Sequence, residues 1–202
     1  MLISLTIILV LLVSAGGQYV QRWALLSNSS ALVSTKSLRQ LSVRTVVANP
    51  RSFCFLDARR YSSNGALEIP TRDQTQHCPD YDAWEWGLSN TTTNDLVAPY
   101  KDEAIRIAGG VAPVVERYQT RRVIYLAGEL DTEQSGNCRA NLQGKSRLER
   151  SAHFFASLHE IYGKPTHERL VVHGVHHDHC LMFQSAEGRQ ALFGLKEDNN
   201  EK

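Results

Sequence analysis

Three short stretches of this 202-residue chain carry side chains suited to acyl transfer. "LVSAGGQ" holds Ser14, "AGELDT" holds Glu129 and Asp131, and "HGVHHDHC" holds His173, His176, His177 and His179 with Asp178 and Cys180. A serine hydroxyl is a weak nucleophile until a neighbouring base takes its Oγ proton. A carboxylate that orients that base and stabilises its protonated form completes the arrangement. The residues alone leave the four histidines equivalent and let either Glu129 or Asp131 serve as the acid. Each also has a plainer reading: a small residue at a turn, a solvated loop carboxylate, a structural histidine. The histidine-rich stretch has metal-binding donors too, but they crowd into one segment with no second cluster elsewhere, so we expect no metal and no cofactor.

To meet, these residues need elements that deliver them to one place. Residues 2 to 13, "LISLTIILVLLV", are an unbroken apolar run, shorter than the roughly 20 residues of a membrane-spanning helix. "YVQRWALL" continues with helical spacing. "SVRTVVANP" predicts a buried strand stopped by Asn49 and Pro50, and residues 51 to 100 are irregular, broken by "NG", "IP", "CPD" and "AP". "DEAIRIAGGVAPVVERY" predicts a helix with a glycine break, "RRVIYLAGELDT" a strand, and "SRLERSAHFFASLHEIYG" an amphipathic helix ended by Gly163 and Pro165. "ERLVVHGVHHDHC" is a last strand entering the histidine-rich loop, and "EGRQALFGL" a closing helix. Strands alternating with helices predict an α/β fold, a mostly parallel sheet flanked by helices. In such a sheet the loops after the strands open on one edge, where ligands bind, so Ser14, the acid and the histidine can converge there.

Lys plus Arg (22) nearly equal Asp plus Glu (21), with no basic run, so a nucleic-acid partner is not expected. The four cysteines, Cys54, Cys78, Cys138 and Cys180, lie far apart, and no CxxC pair suggests zinc or a redox dithiol. Sequons at Asn28 and Asn90 matter only if the chain enters the secretory path.

"SAGGQYVQRWALL" resembles the nucleophile elbow and following helix of α/β-hydrolases, "YLAGELDT" their acid-bearing strand and loop, and "HGVHHDHCLMF" their histidine loop. With "VVANPRSF" between them, the resemblance runs from about residue 3 to 195 and covers the carboxyl-terminal half of that domain, from the elbow onward. It implies a partial α/β-hydrolase fold over residues 1–195, a cap or insert at about 51–118 and a disordered tail at 196–202. It implies ester or amide hydrolysis of a small-molecule or acyl substrate, with Ser14 as nucleophile, His177 as base, Asp131 as acid and the Ala15 N–H as an oxyanion donor; the order Ser, acid, His is that family's order. Trp84 and Trp86 are expected to be packing residues of the cap rather than substrate stackers. The sequence departs from the pattern twice. Leu12 stands where G-x-S-x-G has its first glycine, which is expected to strain the turn or displace Ser14. The strands that precede the elbow and supply the second oxyanion donor are absent. The first strand would then be an exposed apolar edge, needing a partner or a missing segment to cover it, and a truncated chain with little or no hydrolytic activity is expected.

The first segment also carries a competing reading. Its apolar run followed by "SAG" has the form of a secretory signal, although no basic residue precedes the run. Read so, the chain is a noncatalytic secreted or membrane-tethered protein and Ser14 belongs to a cleavage site; read as a strand buried in a parallel sheet, the same letters belong to the core.

Overall fold

The computed structural model describes residues 6–28, 41–89 and 99–194. Residues 3–5 of the expected first strand, the second sequon at Asn90 and the tail at 196–202 lie outside the described residues.

The leading apolar run is a strand, β1 (Thr6–Val13), pairing in parallel with β2 (Leu41–Ala48), and Val13 sits opposite Ala48. β5 (Arg122–Gly128) pairs in parallel with β2, and β6 (Glu168–Val172) with β5. The four-stranded sheet thus has the order β1-β2-β5-β6 and is parallel throughout. A two-residue pair of short strands, β3 (Arg60–Tyr61) and β4 (Leu67–Glu68), forms a separate antiparallel hairpin.

Both faces of the sheet are covered, which is why its strands read as continuous apolar runs. Successive side chains point to opposite faces. Val47, Val123 and Tyr125 belong to a core with Val20, Leu25, Val114, Tyr118, Phe154 and Leu158, whereas Val46, Ile124 and Leu126 pack with Met182 and Ala191. The first core is supplied by α1 (Ala15–Leu26), α4 (Val111–Gln119) and α6 (Arg147–Tyr162), and the second by α7 (His179–Gln184) and α8 (Ala186–Phe193). Arg44, in the middle of β2 and nearly fully buried, donates to the carbonyls of Leu192 (2.9 Å) and Ala191 (3.4 Å), neutralising the negative end of α8.

The expected helix with a glycine break is two helices, α3 (Pro99–Ala108) and α4, separated by Gly109 and Gly110, both at positive φ. α6 starts at Ser146, whose hydroxyl accepts from the Glu149 N–H, and stops at Gly163 (φ 72°). Residues 51–89 contain only the hairpin and α2 (Arg72–His77), so their backbone polar groups need other partners. Gln143 supplies them at Phe53 through bonds of 2.9 and 2.7 Å, and Gln21 does the same at Cys54. Buried Arg60 pairs with Asp82 at 2.9 Å and lies 4.3 Å above the Phe55 ring. A disulfide joins Cys78, just after α2, to Cys138 at the start of α5 (Cys138–Gln143). Cys54 is a buried thiol, its pKa pushed up to about 12 by burial, and Cys180 is exposed and free.

β1 is one edge of the sheet, with Ile8 and Leu12 among the large apolar side chains left exposed. Among the described residues no helix is long and apolar enough to cross a membrane.

Candidate active site at the carboxyl edge of the sheet

Ser14 is the single residue between β1 and α1, and its backbone is at φ 58°, ψ −122°. A non-glycine residue rarely occupies that region, and strain of this kind persists only where the surroundings fix it. Here they do. The Ser14 N–H donates to the Ala48 carbonyl at 3.0 Å, and its carbonyl accepts the first helical bond from Gln18. Gly17 lets α1 lie against β2: a Cβ there would sit 2.6 Å from the Ala48 carbonyl oxygen. Gly16 answers the question raised by Leu12, because a Cβ on Gly16 would sit 2.6 Å from the Leu12 Cβ. The turn therefore closes around Leu12, a residue 47% exposed, with a glycine on the helix side providing the room. Ala15 opens α1, and its N–H is among those a helix start leaves without an intrahelical acceptor.

Asp131 and His177 meet. Asp131, 4% exposed, accepts from His177 through Oδ2 to Nδ1 at 2.7 Å. Its other oxygen accepts from Arg147, the first residue of α6, at 3.1 Å. Arg147 also pairs with Glu133, and although burial pulls its pKa down, the two carboxylates outweigh that and raise it. The backbone of Asp131 is held as well, its carbonyl accepting from the Leu148 N–H at 3.2 Å.

The other candidates separate by partner. Glu129 accepts from the Gly174 N–H at 2.9 Å and faces His173 at 3.4 Å, so it belongs to a different pair; these bonds hold its carboxyl below the usual range. Asp178 caps α7, accepting from the Leu181 N–H at 2.8 Å. His179 and Cys180, expected in a loop, are the first residues of that helix. Among the described residues no three His, Cys, Asp or Glu side chains are grouped to hold a metal.

Asn49, read from sequence as a strand stop, fastens this edge together. At φ 41° and 2% exposed, it accepts from the Gly128 N–H (2.8 Å), donates to the His176 carbonyl (3.2 Å), and its own N–H reaches the Leu126 carbonyl (2.9 Å). The strand carrying Ser14, the loop carrying Asp131 and the loop carrying His177 are thus linked through Ala48 and Asn49. His177 is about a third exposed (side chain 32%), and no hydrogen bond within 3.5 Å joins it to the Ser14 hydroxyl among the described residues.

The chain matches no protein-family model, and no curated protein matches it. Its fold is similar to that of a solved structure, the LpqC poly(3-hydroxybutyrate) depolymerase from Bordetella parapertussis, with a TM-score of 0.56 and 16% identity over 96% of this chain and 52% of that one. A poly(aspartic acid) hydrolase-1 from Sphingomonas sp. KT-1 is similar at a TM-score of 0.49 and 21% identity, over 86% of this chain and 51% of that one. The first likeness shows the fold alone, a parallel α/β sheet flanked by helices, and this chain spans about half the length of the structure it matches.

Proposed function

We propose that this edge is a serine hydrolase site for an ester or amide, with Ser14 as nucleophile, His177 as general base and Asp131 as the carboxylate that orients it. One observation carries the reading: the buried Asp131–His177 pair at 2.7 Å is delivered to the same sheet edge as a serine in a strained strand-to-helix turn. Asp131 accepts from Nδ1, which leaves Nε2 of His177 to take the Ser14 Oγ proton as the oxygen attacks the acyl carbonyl. The negative charge that develops on the carbonyl oxygen is met by the Ala15 N–H at the positive end of α1. The protonated imidazole then gives its proton to the leaving group, and water repeats the cycle on the acyl-enzyme. The lack of a hydrogen bond between Ser14 and His177 in the free protein is compatible with an enzyme whose bonds tighten around substrate.

Turnover by this chain is slow in this reading. Ala15 is the one oxyanion donor assigned, and loss of one such donor costs about a hundred- to a thousandfold. The Cys78–Cys138 disulfide favours an oxidising compartment for the folded protein. The test is residues 1–202 assayed on short acyl esters and treated with a fluorophosphonate, beside Ser14→Ala. Slow hydrolysis and a covalent adduct on Ser14, both lost in Ser14→Ala, are expected. Hydrolysis that survives Ser14→Ala would overturn the assignment, and robust turnover would overturn the single-donor argument.

A further inference from the structure

A cavity of about 490 Å³ has Ala15, the residue after Ser14, in its wall and follows one face of α1. Ala15, Gln18, Tyr19, Arg22 and Trp23 share that face by their helical spacing, and from Ala15 to Trp23 the helix rises about 12 Å. Trp84 and Glu85 form the facing wall, and Tyr100 of α3 contributes at the mouth, where it and Tyr19 are 53% and 67% exposed. The two indoles are anchored, each packing partly against the main core. Neither makes a ring contact with the other or with any ring among the described residues, and the exposed part of each lines the groove.

Among the described residues, the one cation in the cavity's wall is engaged within the protein. Arg22 is 8% exposed, donates to the Glu85 carbonyl at 3.0 Å and to the Ser52 hydroxyl at 3.3 Å, and pairs with the Glu85 carboxylate at 3.3 Å. Gln18 donates to the same Ser52 hydroxyl at 2.9 Å. Arg22 is thus engaged within the protein, whereas the Glu85 side chain is 56% exposed and its carboxylate repels an anion, so the groove suits a group without negative charge. Its specificity comes from aromatic faces, whose stacking adds to simple burial.

We infer that this groove is the substrate-group subsite of the hydrolytic edge and takes an uncharged, flat aromatic group carried on the acyl side of the scissile bond through a short linker, laid along α1 against Trp23 and Trp84. The inference rests on the hydrolase reading for its chemistry, whereas the binding itself does not. It also gives Trp84 a role beyond the packing expected from sequence.

The experiment separates binding from turnover. Full-length Ser14→Ala is titrated by calorimetry and tryptophan fluorescence with methyl 3-phenylpropanoate and with methyl hexanoate, and the wild type is assayed on both. The aromatic ester is expected to bind about tenfold more tightly, from one or two stacked rings. That preference should fall severalfold in Trp84→Leu and in Trp23→Leu while persisting in Trp84→Phe. If a leucine variant fails to fold, Tyr19→Ser at the exposed mouth replaces it and should still weaken aromatic binding. Equal binding of the two esters, or a preference unchanged by all the variants, overturns the subsite. Aromatic binding without any hydrolysis by the wild type supports the subsite and overturns the hydrolase reading.

Discussion

Each oxygen of the Asp131 carboxylate has its own cationic or imidazole partner, and neither partner can move without disturbing the other. Oδ2 holds His177 and Oδ1 holds Arg147, which is itself fixed at the head of α6 and tied to Glu133. In the proposed reaction Arg147 acts only through Asp131, which assigns it as a positioning residue there. Arg147→Met is expected to lower kcat by about 10- to 100-fold with little change in KM, because misplacing a catalytic group by about 1 Å costs that much. Arg147→Lys should recover part of the loss, and a Met variant that raises KM at constant kcat would refute the role. At this scale the sequence was only partly legible. Ser14 stood out from the residues themselves, whereas the choice of Asp131 and His177 was reached through the resemblance of whole segments, since four histidines in eight residues look alike on paper. Arg147 and Asn49 were missed: an arginine at the start of an amphipathic helix reads as solvated surface, and an asparagine before a proline reads as a stop. Their partners lie 16 and 127 residues away in sequence, a separation that no local pattern encodes.

At the scale of elements, the turn between β1 and α1 shows how a departure from a motif is absorbed. Leu12 is accommodated because Gly16 presents no Cβ to it. Gly16→Ala is expected to cost about 1–3 kcal/mol, as overpacking does, and to lower activity with it. Leu12→Gly in the same chain should relieve that cost, giving a coupling of at least about 1 kcal/mol in a double-mutant cycle of urea melts; additive effects would show that the two residues do not press on one another. A second joint between elements is buried and polar. The His167 Nε2–H donates to the Tyr118 carbonyl at 2.8 Å, its Nδ1 accepts from the Tyr125 hydroxyl at 2.9 Å, and Tyr118 donates to Tyr125 at 2.7 Å, so α4, β5 and the start of β6 share one network. Burial, only partly offset by the bond to Tyr118, lowers the His167 pKa to about 4. Between its ordinary value near 6.5 and pH 4 the unfolded chain binds a proton that the folded chain refuses. Unfolding free energy should therefore be full above pH 6.5 and fall by about 3 kcal/mol as pH drops to 4. Urea melts at pH 7 and pH 4.5 measure this, and His167→Gln should show a smaller loss across the same window. The strands were readable because a sheet covered on both faces demands unbroken apolar runs. The segment 51–89 was not, because side chains such as Gln21, Gln143 and Arg60, rather than a backbone ladder, satisfy it.

At the scale of the molecule, that irregular segment is held by a covalent tie as well as by polar side chains. The Cys78–Cys138 bond spans 60 residues and joins the region before α3 to the one that follows the Asp131 loop. Closing a loop of this length is expected to stabilise the fold by about 4 kcal/mol through the unfolded chain. Cys78→Ser paired with Cys138→Ser should lower the melting temperature accordingly, while an unchanged melting temperature would show that the surrounding contacts carry the segment alone. The sheet itself has a simpler logic. Its spatial order, β1-β2-β5-β6, repeats the order of its strands along the chain, so each strand adds to an edge its predecessors have already laid down. During vectorial synthesis the growing sheet never waits for a later strand to fill an interior gap. Within this stretch every added strand leaves a smaller version of the same sheet behind it, and β6, which leads into the His177 loop, is the last of the four to arrive.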